Sequence, residues 1–253
     1  MTRVGLLHTV PALAATFDGM LATDVTERVH IADAHLLQTA IREGVTDAVR
    51  ASVAAHLQHL VAGGADAILV TCSSIGEAAE EAGESLSVPV VRVDAAMARD
   101  AVSLAIADAA SRAAGDAHVA VLATNTATLG PTTRLIQREI DAAAAAAADV
   151  GDPSSVPPLS RITVDSAVVE GAVAARDAGR PDEHDRLIAE AVAAAADPRS
   201  ERPADVIVLA QASMAAAADH ADVAVPILTS PAGGVADLLT ALVDGDSPAE
   251  TAP

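Results

Sequence analysis

The sequence predicts an α/β protein of two lobes, each a four-stranded parallel sheet flanked by helices. Three observations carry this expectation. Short apolar runs rich in Val, Ile and Leu alternate with longer stretches of helical 3–4 spacing, the pattern of strands buried on both faces between helices. The chain also repeats itself, segment by segment, in the same order. Finally, 253 residues with 51% hydrophobic content are enough for two small cores.

The repeat is clearest at "ADAILVTCSS" (65–74) and "ADVIVLAQAS" (204–213), which sets Cys72 opposite Gln211. Upstream, "RVGLLHTVP" (3–11) pairs with "HVAVLATNT" (118–126). "RVHIADAHLLQTAIREG" resembles "RITVDSAVVEGAVAARDAG", with Gly44 opposite Gly179. Downstream, "VPVVRV" (88–93) pairs with "VPILTS" (225–230). The expected strands are "VGLLH", "RVHIA", "AILVT" and "VPVVRV" in the first half, and "VAVLAT", "RITVDS", "VIVLA" and "VPILT" in the second. One helix is expected after each strand. "TDAVRASVAAHLQHLVAGG" is the clearest of these and ends in a glycine stop signal.

Such alternation specifies parallel strands joined by right-handed crossovers. It predicts two flavodoxin-like lobes related by a pseudo-twofold axis. The first is expected over 1–97 plus 226–253 and the second over 98–225, with a ligand cleft between them. "ADVGDPSSVPPLS" (148–160) reads as a Pro/Ser-rich surface loop and "DGDSPAETAP" as a frayed tail. The N-terminal "MTRVGLLHTVPALAATF" has the basic residue and apolar run of a leader, but His8 and Pro11 interrupt it. The repeat makes it the first strand.

Composition excludes several function classes. The net charge of −20 repels nucleic acid and anionic lipid, and no basic stripe offsets it. All fifteen bases are arginine, so a pyridoxal-phosphate enzyme, a Schiff-base aldolase and a Walker A loop all lack their lysine. With no Trp or Tyr and one Phe, stacking on bases or sugars is not expected. The alanine runs are too weakly apolar for membrane spans. The single cysteine can form neither an intramolecular disulfide nor a Cys-based zinc site, which suits a reducing cytoplasm.

In open parallel sheets ligands bind beyond the carboxyl ends of the strands, at the point where strand order reverses. The residues at those ends are His8, Thr9, Thr71, Cys72, Ser73 and Ser74 in the first half. In the second they are Ala123, Thr124, Asn125, Thr126, Ala210, Gln211, Ala212 and Ser213. Small hydroxyl residues before helix N-termini form a carboxylate site without lysine. No metal site is expected: His56 and His59 share a helix face without a third ligand, His30 and His35 are too weakly placed to argue one, and His220 reads as a surface residue.

Three segments, "VTCSSIG", "VAVLATNTATLGPT" and "VIVLAQASM", together with the duplicated layout, resemble the aspartate/glutamate racemase superfamily. That superfamily includes hydantoin racemases, maleate cis–trans isomerases and arylmalonate decarboxylases. The resemblance implies two α/β lobes, no cofactor, a small carboxylate or amino-acid-like substrate, and a homodimer. In its racemases one cysteine from each lobe flanks the substrate α-carbon, one thiolate removing the proton and the other thiol delivering one. Cys72 matches the first cysteine, Ser73 and Ser74 the polar pair after it, and Thr124 the threonine after the second lobe's first strand.

At the second cysteine this chain has Gln211, which is neither acid nor base near neutral pH. The resemblance therefore implies proton transfer at the carbon α to a carboxylate, with Cys72 as the one catalytic thiol. His8, Thr9, Ser73, Ser74, Thr124, Asn125, Thr126, Gln211 and Ser213 would bind substrate. A one-thiol decarboxylase of malonate-like acids and a non-catalytic carboxylate-binding protein are the alternatives. In the family's one-cysteine decarboxylases the lone thiol sits in the second half, whereas here it sits in the first. Helix N-termini lower thiol pKa values, so a thiolate near neutral pH is the expectation.

Overall fold

The computed structural model describes residues 2–21, 25–112, 115–149 and 162–245. The expected loop at 148–160 and the tail beyond residue 245 fall almost wholly outside these. The chain divides into two compact units, Met1–Asp94 with Pro231–Pro253, and Ala95–Ser230.

The first unit contains β1 (Arg3–His8), α1 (Leu13–Met20), β2 (Glu27–Ala32), α2 (Ala34–Glu43), α3 (Asp47–Ala62), β3 (Ala67–Val70), α4 (Gly76–Gly83) and β4 (Val90–Arg92). All neighbouring strands are parallel, in the order β2-β1-β3-β4, with Val4 opposite Ala67 and Leu7 opposite Val70. The two central strands are the most apolar: every residue of β3 is buried, and so are the last five of β1. Edge strand β2 keeps "ERVHIA" partly exposed.

Between β2 and β3 the chain makes two helices where one was expected. Gly44, at φ 79, separates them in a backbone conformation that side-chain-bearing residues avoid. Asp33 caps α2 by accepting the His35 N–H (3.0 Å), and Thr46 caps α3 by accepting that of Val49 (3.4 Å). Val49, Val53, Leu57 and Leu60 form the buried stripe of α3, packing on Leu7, Ile68 and Val70. The helix lies so close to the sheet that a Cβ on Gly5 would meet Leu60 at 3.0 Å.

The second unit contains α5 (Ala95–Ser111), β5 (Ala117–Ala123), α6 (Thr126–Asp149), β6 (Ile162–Val168), α7 (Ala172–Asp177), α8 (Pro181–Ala196), β7 (Val206–Leu209) and β8 (Ile227–Thr229). α9 (Ser230–Gly245) then returns the chain to the first unit. The strand order is β6-β5-β7-β8, again all parallel, so both units use the same topology. Here β5 and β7 are wholly buried. One face packs on an alanine-rich side of α5 and on Leu135, Ile136 and Ile140 of α6. The other packs on Ile188 and Val192 of α8.

After β7 the expected α-helix is a 3-10 run, Ala212–His220. Met214 and Ala217, three residues apart, share its buried side as threefold winding requires. Every strand expected from sequence is present, within a residue or two of its expected ends.

Candidate active site

Between β1 and β3 the chain reverses its direction of travel across the first sheet, and their carboxyl ends lie side by side. The Thr71 N–H donates to Leu7 O (3.0 Å), carrying the pairing one residue past β3. Cys72 follows and stands just before a 3-10 turn, Ser73–Ile75, that leads directly into α4. It is partly exposed, whereas Thr9, Ser73 and Ser74 around it are buried. The structure thus gathers His8, Thr9, Thr71, Cys72, Ser73 and Ser74 at one strand-end locus.

The protonation state of the thiol differs from expectation. Burial pushes the Cys72 pKa up, and this outweighs the opposing pull of the Thr9 hydroxyl, the Ser74 N–H and hydroxyl, and the Ile75 N–H. Desolvation depends on three-dimensional packing, so it was not visible at a strand end read from sequence. At neutral pH Cys72 is a protonated thiol within a shell of donors. In that state Sγ carries a proton it can donate and is not a base.

His8 is fully buried, and both its ring nitrogens are engaged. Nδ1 lies 2.8 Å from Thr71 Oγ1, and Nε2 lies 2.8 Å from His30 Nδ1. The Thr71 hydroxyl donates to Leu7 O (3.2 Å), so it accepts from His8 Nδ1–H, and His8 Nε2 accepts from His30. Burial, and then the neighbouring His30, push the His8 pKa down to about 4. The imidazole is therefore neutral at pH 7 and braces Thr71.

Sequence reasoning missed His30. The signal was present, because His30 stands opposite Leu6 on β2, one alternation from His8 and on the same sheet face. The rings stack at 5.1 Å, and His30 Nε2 lies 3.4 Å from Asp18 Oδ1, which Arg28 Nε also approaches at 2.6 Å.

Arg92 was missed as well. It is buried at the end of β4, with its fork on both oxygens of Asp94 (2.9 Å each) and on Glu80 of α4 (2.9 Å). Gly76, the first residue of α4, leaves room for it: a Cβ there would lie 2.6 Å from the guanidinium. Arg92 thereby pins the start of the helix that follows Cys72.

In the second unit the Ala210 N–H donates to Leu122 O (2.9 Å), bringing the ends of β5 and β7 together. Gln211 Oε1 accepts from both the N–H of Thr124 (2.6 Å) and its hydroxyl (2.8 Å). Asn125 Oδ1 accepts from Thr128 Oγ1 (3.2 Å), and its buried Nδ2 has no partner among the described residues. Thr126 is exposed at the start of α6, and Ser213 is half-buried. His56 Nε2 lies 2.9 Å from Asp33 Oδ2. Among the described residues no group of three or more His, Cys, Asp or Glu is placed to hold a metal ion. No described helix is long and apolar enough to cross a membrane.

No family model matches the sequence, and no curated protein matches it either. Solved structures do. A glutamate racemase isoform from Bacillus anthracis aligns with a TM-score of 0.63 over 98% of this chain and 84% of its own, at 15% identity. The glutamate racemase of Francisella tularensis, solved in complex with D-glutamate, aligns at 0.60 over 99% and 84%, at 16% identity. Allantoin racemase from Klebsiella pneumoniae aligns at 0.57 over 96% and 88%, at 14% identity. The chain therefore has the α/β fold of the aspartate/glutamate racemase superfamily. At such identities the likeness is one of fold, and function has to be argued from the site.

Proposed function

We propose that this chain is a cofactor-independent enzyme transferring a proton at the carbon α to a carboxylate, with Cys72 as its catalytic acid. The observation that carries the reading is the place of Cys72, partly exposed at the paired ends of β1 and β3 and just before the turn into α4, with buried Thr9, Ser73 and Ser74 around it. Thr9, Ser73 and Ser74, at the strand ends that carry Cys72, are proposed to bind the carboxylate, and Thr124 and Asn125, at the strand ends of the second unit, are proposed as further binding groups. Donors at those positions would stabilise the enediolate formed when charge moves onto the carboxylate. The carbanionic carbon takes the proton from Sγ, and the thiolate left behind recovers one from water.

A two-thiol racemase needs a second acid–base group, and the position that repeats Cys72 holds Gln211. This favours one-sided chemistry: in one-base isomerisation the minor thiolate form of Cys72 would first take the α-proton and the thiol so formed would return it, whereas in decarboxylation of a malonate-like acid the thiol would act as donor alone. In the latter the C–CO2 bond breaks, CO2 leaves, its electron pair stays on carbon, and the Cys72 proton quenches it. Incubation of candidate acids in D2O tests the reading. Deuterium appearing at the α-carbon with the wild type, and not with Cys72→Ala, supports an enzyme. Tight binding with no incorporation for any acid would make the chain a carboxylate-binding protein.

A further inference from the structure

We infer that His8, His30, Thr71 and Asp18 form a pH switch: proton uptake at His30 reverses a hydrogen-bond chain that ends at Thr71, the residue before Cys72. All four residues belong to the first unit, and the inference does not depend on the proposed function.

Four contacts in line make up the chain. Asp18 Oδ1 lies 3.4 Å from His30 Nε2, and His30 Nδ1 lies 2.8 Å from His8 Nε2. His8 Nδ1 lies 2.8 Å from Thr71 Oγ1, which lies 3.2 Å from Leu7 O. Both ends of the line only accept. One is a backbone carbonyl, and the other is a carboxylate that Arg28 holds below the usual carboxylate range. Each of the four contacts needs one proton. Two neutral imidazoles and one hydroxyl supply three, so one contact goes without. A single imidazolium supplies the fourth and satisfies the whole line.

The surroundings decide which ring takes the charge. His8 is fully buried, and its pKa is pushed down to about 4, by burial first and then by His30. His30 is partly exposed and meets the Asp18 carboxylate of α1. Arg28, two residues before His30 on β2, lies 2.6 Å from Asp18 Oδ1; its charge opposes a proton on His30, and that of Asp18 favours one. Phe17 covers His8 with an apolar ring, the centroids 5.9 Å apart.

With His30 protonated, it donates from Nε2 to Asp18 and from Nδ1 to His8. His8 then donates from Nδ1 to Thr71, and the Thr71 hydroxyl donates to Leu7 O. When His30 loses its proton, one contact must empty. Emptying the Asp18 contact would set a carboxylate against a ring lone pair. Emptying the Leu7 contact costs less, because Leu7 O keeps the Thr71 N–H at 3.0 Å. The line therefore reverses. Thr71 donates to His8 Nδ1, His8 donates from Nε2 to His30 Nδ1, and His30 keeps its remaining proton on Nε2 for Asp18. His8 changes tautomer while staying neutral, and the ends of β1 and β3 lose one of two bonds just before Cys72.

Nitrogen-15 NMR of the intact chain with labelled histidine, from about pH 5 to pH 8, tests the inference, because the two ring nitrogens report charge and tautomer separately. On acidification His30 should become protonated on both nitrogens. Across the same inflection the His8 proton should move from Nε2 to Nδ1 with no gain of charge. In His30→Leu that movement should be lost. In Asp18→Asn, whose amide oxygen can stay on Arg28 while its NH2 donates to His30 Nε2, the neutral line has its fourth proton, and His8 should keep Nδ1–H throughout. The inference is overturned if His8 holds one tautomer while His30 titrates, if His8 itself takes the charge, or if neither ring changes state in this range. Survival of the tautomer change in His30→Leu would overturn it as well.

Discussion

Gln211 Oε1 lies 2.6 Å from the backbone nitrogen of Thr124 and 2.8 Å from its hydroxyl, so one side-chain carbonyl ties the end of β7 to the end of β5. The pair holds a glutamine rigidly where the internal repeat would set a partner for Cys72. Thr124→Val removes one of two bonds to a partly buried carbonyl, and Gln211→Leu removes both and orphans the Thr124 N–H. Urea unfolding should show about 1 kcal/mol lost in the first and about 2 kcal/mol in the second. Equal stability in all three proteins would mean that the pair does not order these strand ends.

The pH behaviour of Cys72 follows from burial outweighing its donors. A raised thiol pKa leaves less thiolate at pH 7 than an unstructured peptide thiol carries. Iodoacetamide should therefore modify the native protein more slowly than the unfolded chain at pH 7. The native rate should rise about tenfold per pH unit, with its inflection above that of the unfolded chain. An inflection below neutrality would identify a preformed thiolate and recast Cys72 as a base.

His8 gives a stability prediction of definite sign. Its pKa is pushed down to about 4 in the fold, against about 6.5 when unfolded. Between those values the unfolded chain binds the extra proton and the folded one does not. The stability from a neutral His8 is therefore fully present above about pH 6.5 and is lost as pH falls towards 4. The loss approaches roughly 3 kcal/mol. Urea midpoints from pH 7 to pH 4 should fall along this profile in the wild type, and the slope should be shallower in His8→Gln.

Much of this architecture was legible from residue order. β1, β3, β5 and β7 are central strands buried on both faces, so each had to be a short apolar run, and the repeat marked them twice. Cys72 could be placed at a strand end for the same reason. The His8–His30 stack was less legible, since it requires the register of β2 on β1. Arg92 was not legible at all: "VRVD" after an apolar strand reads as an emerging polar end, yet Arg92 and Asp94 are both buried. The desolvation that raises the Cys72 pKa is likewise a property of packing, absent from any local motif.

The buried Arg92–Asp94 pair bears on how the turn carrying Cys72 is held. Arg92→Leu leaves Asp94 fully buried without its cation, which should cost about 3–5 kcal/mol. Removing both charges, in Arg92→Leu with Asp94→Asn, should recover much of that cost because no unpaired ion remains. The Glu80 contact, the third arm of the fork, is half open to solvent. Glu80→Gln should cost under about 1 kcal/mol. Because Gly76 packs on the same guanidinium, Gly76→Ala in the wild type should displace Arg92 and loosen the turn carrying Cys72. The readout is the Cys72 alkylation profile. If Gly76→Ala shifts that profile and the double charge-removal variant does not, steric support of α4, rather than the Arg92 charge, is what fixes the thiol.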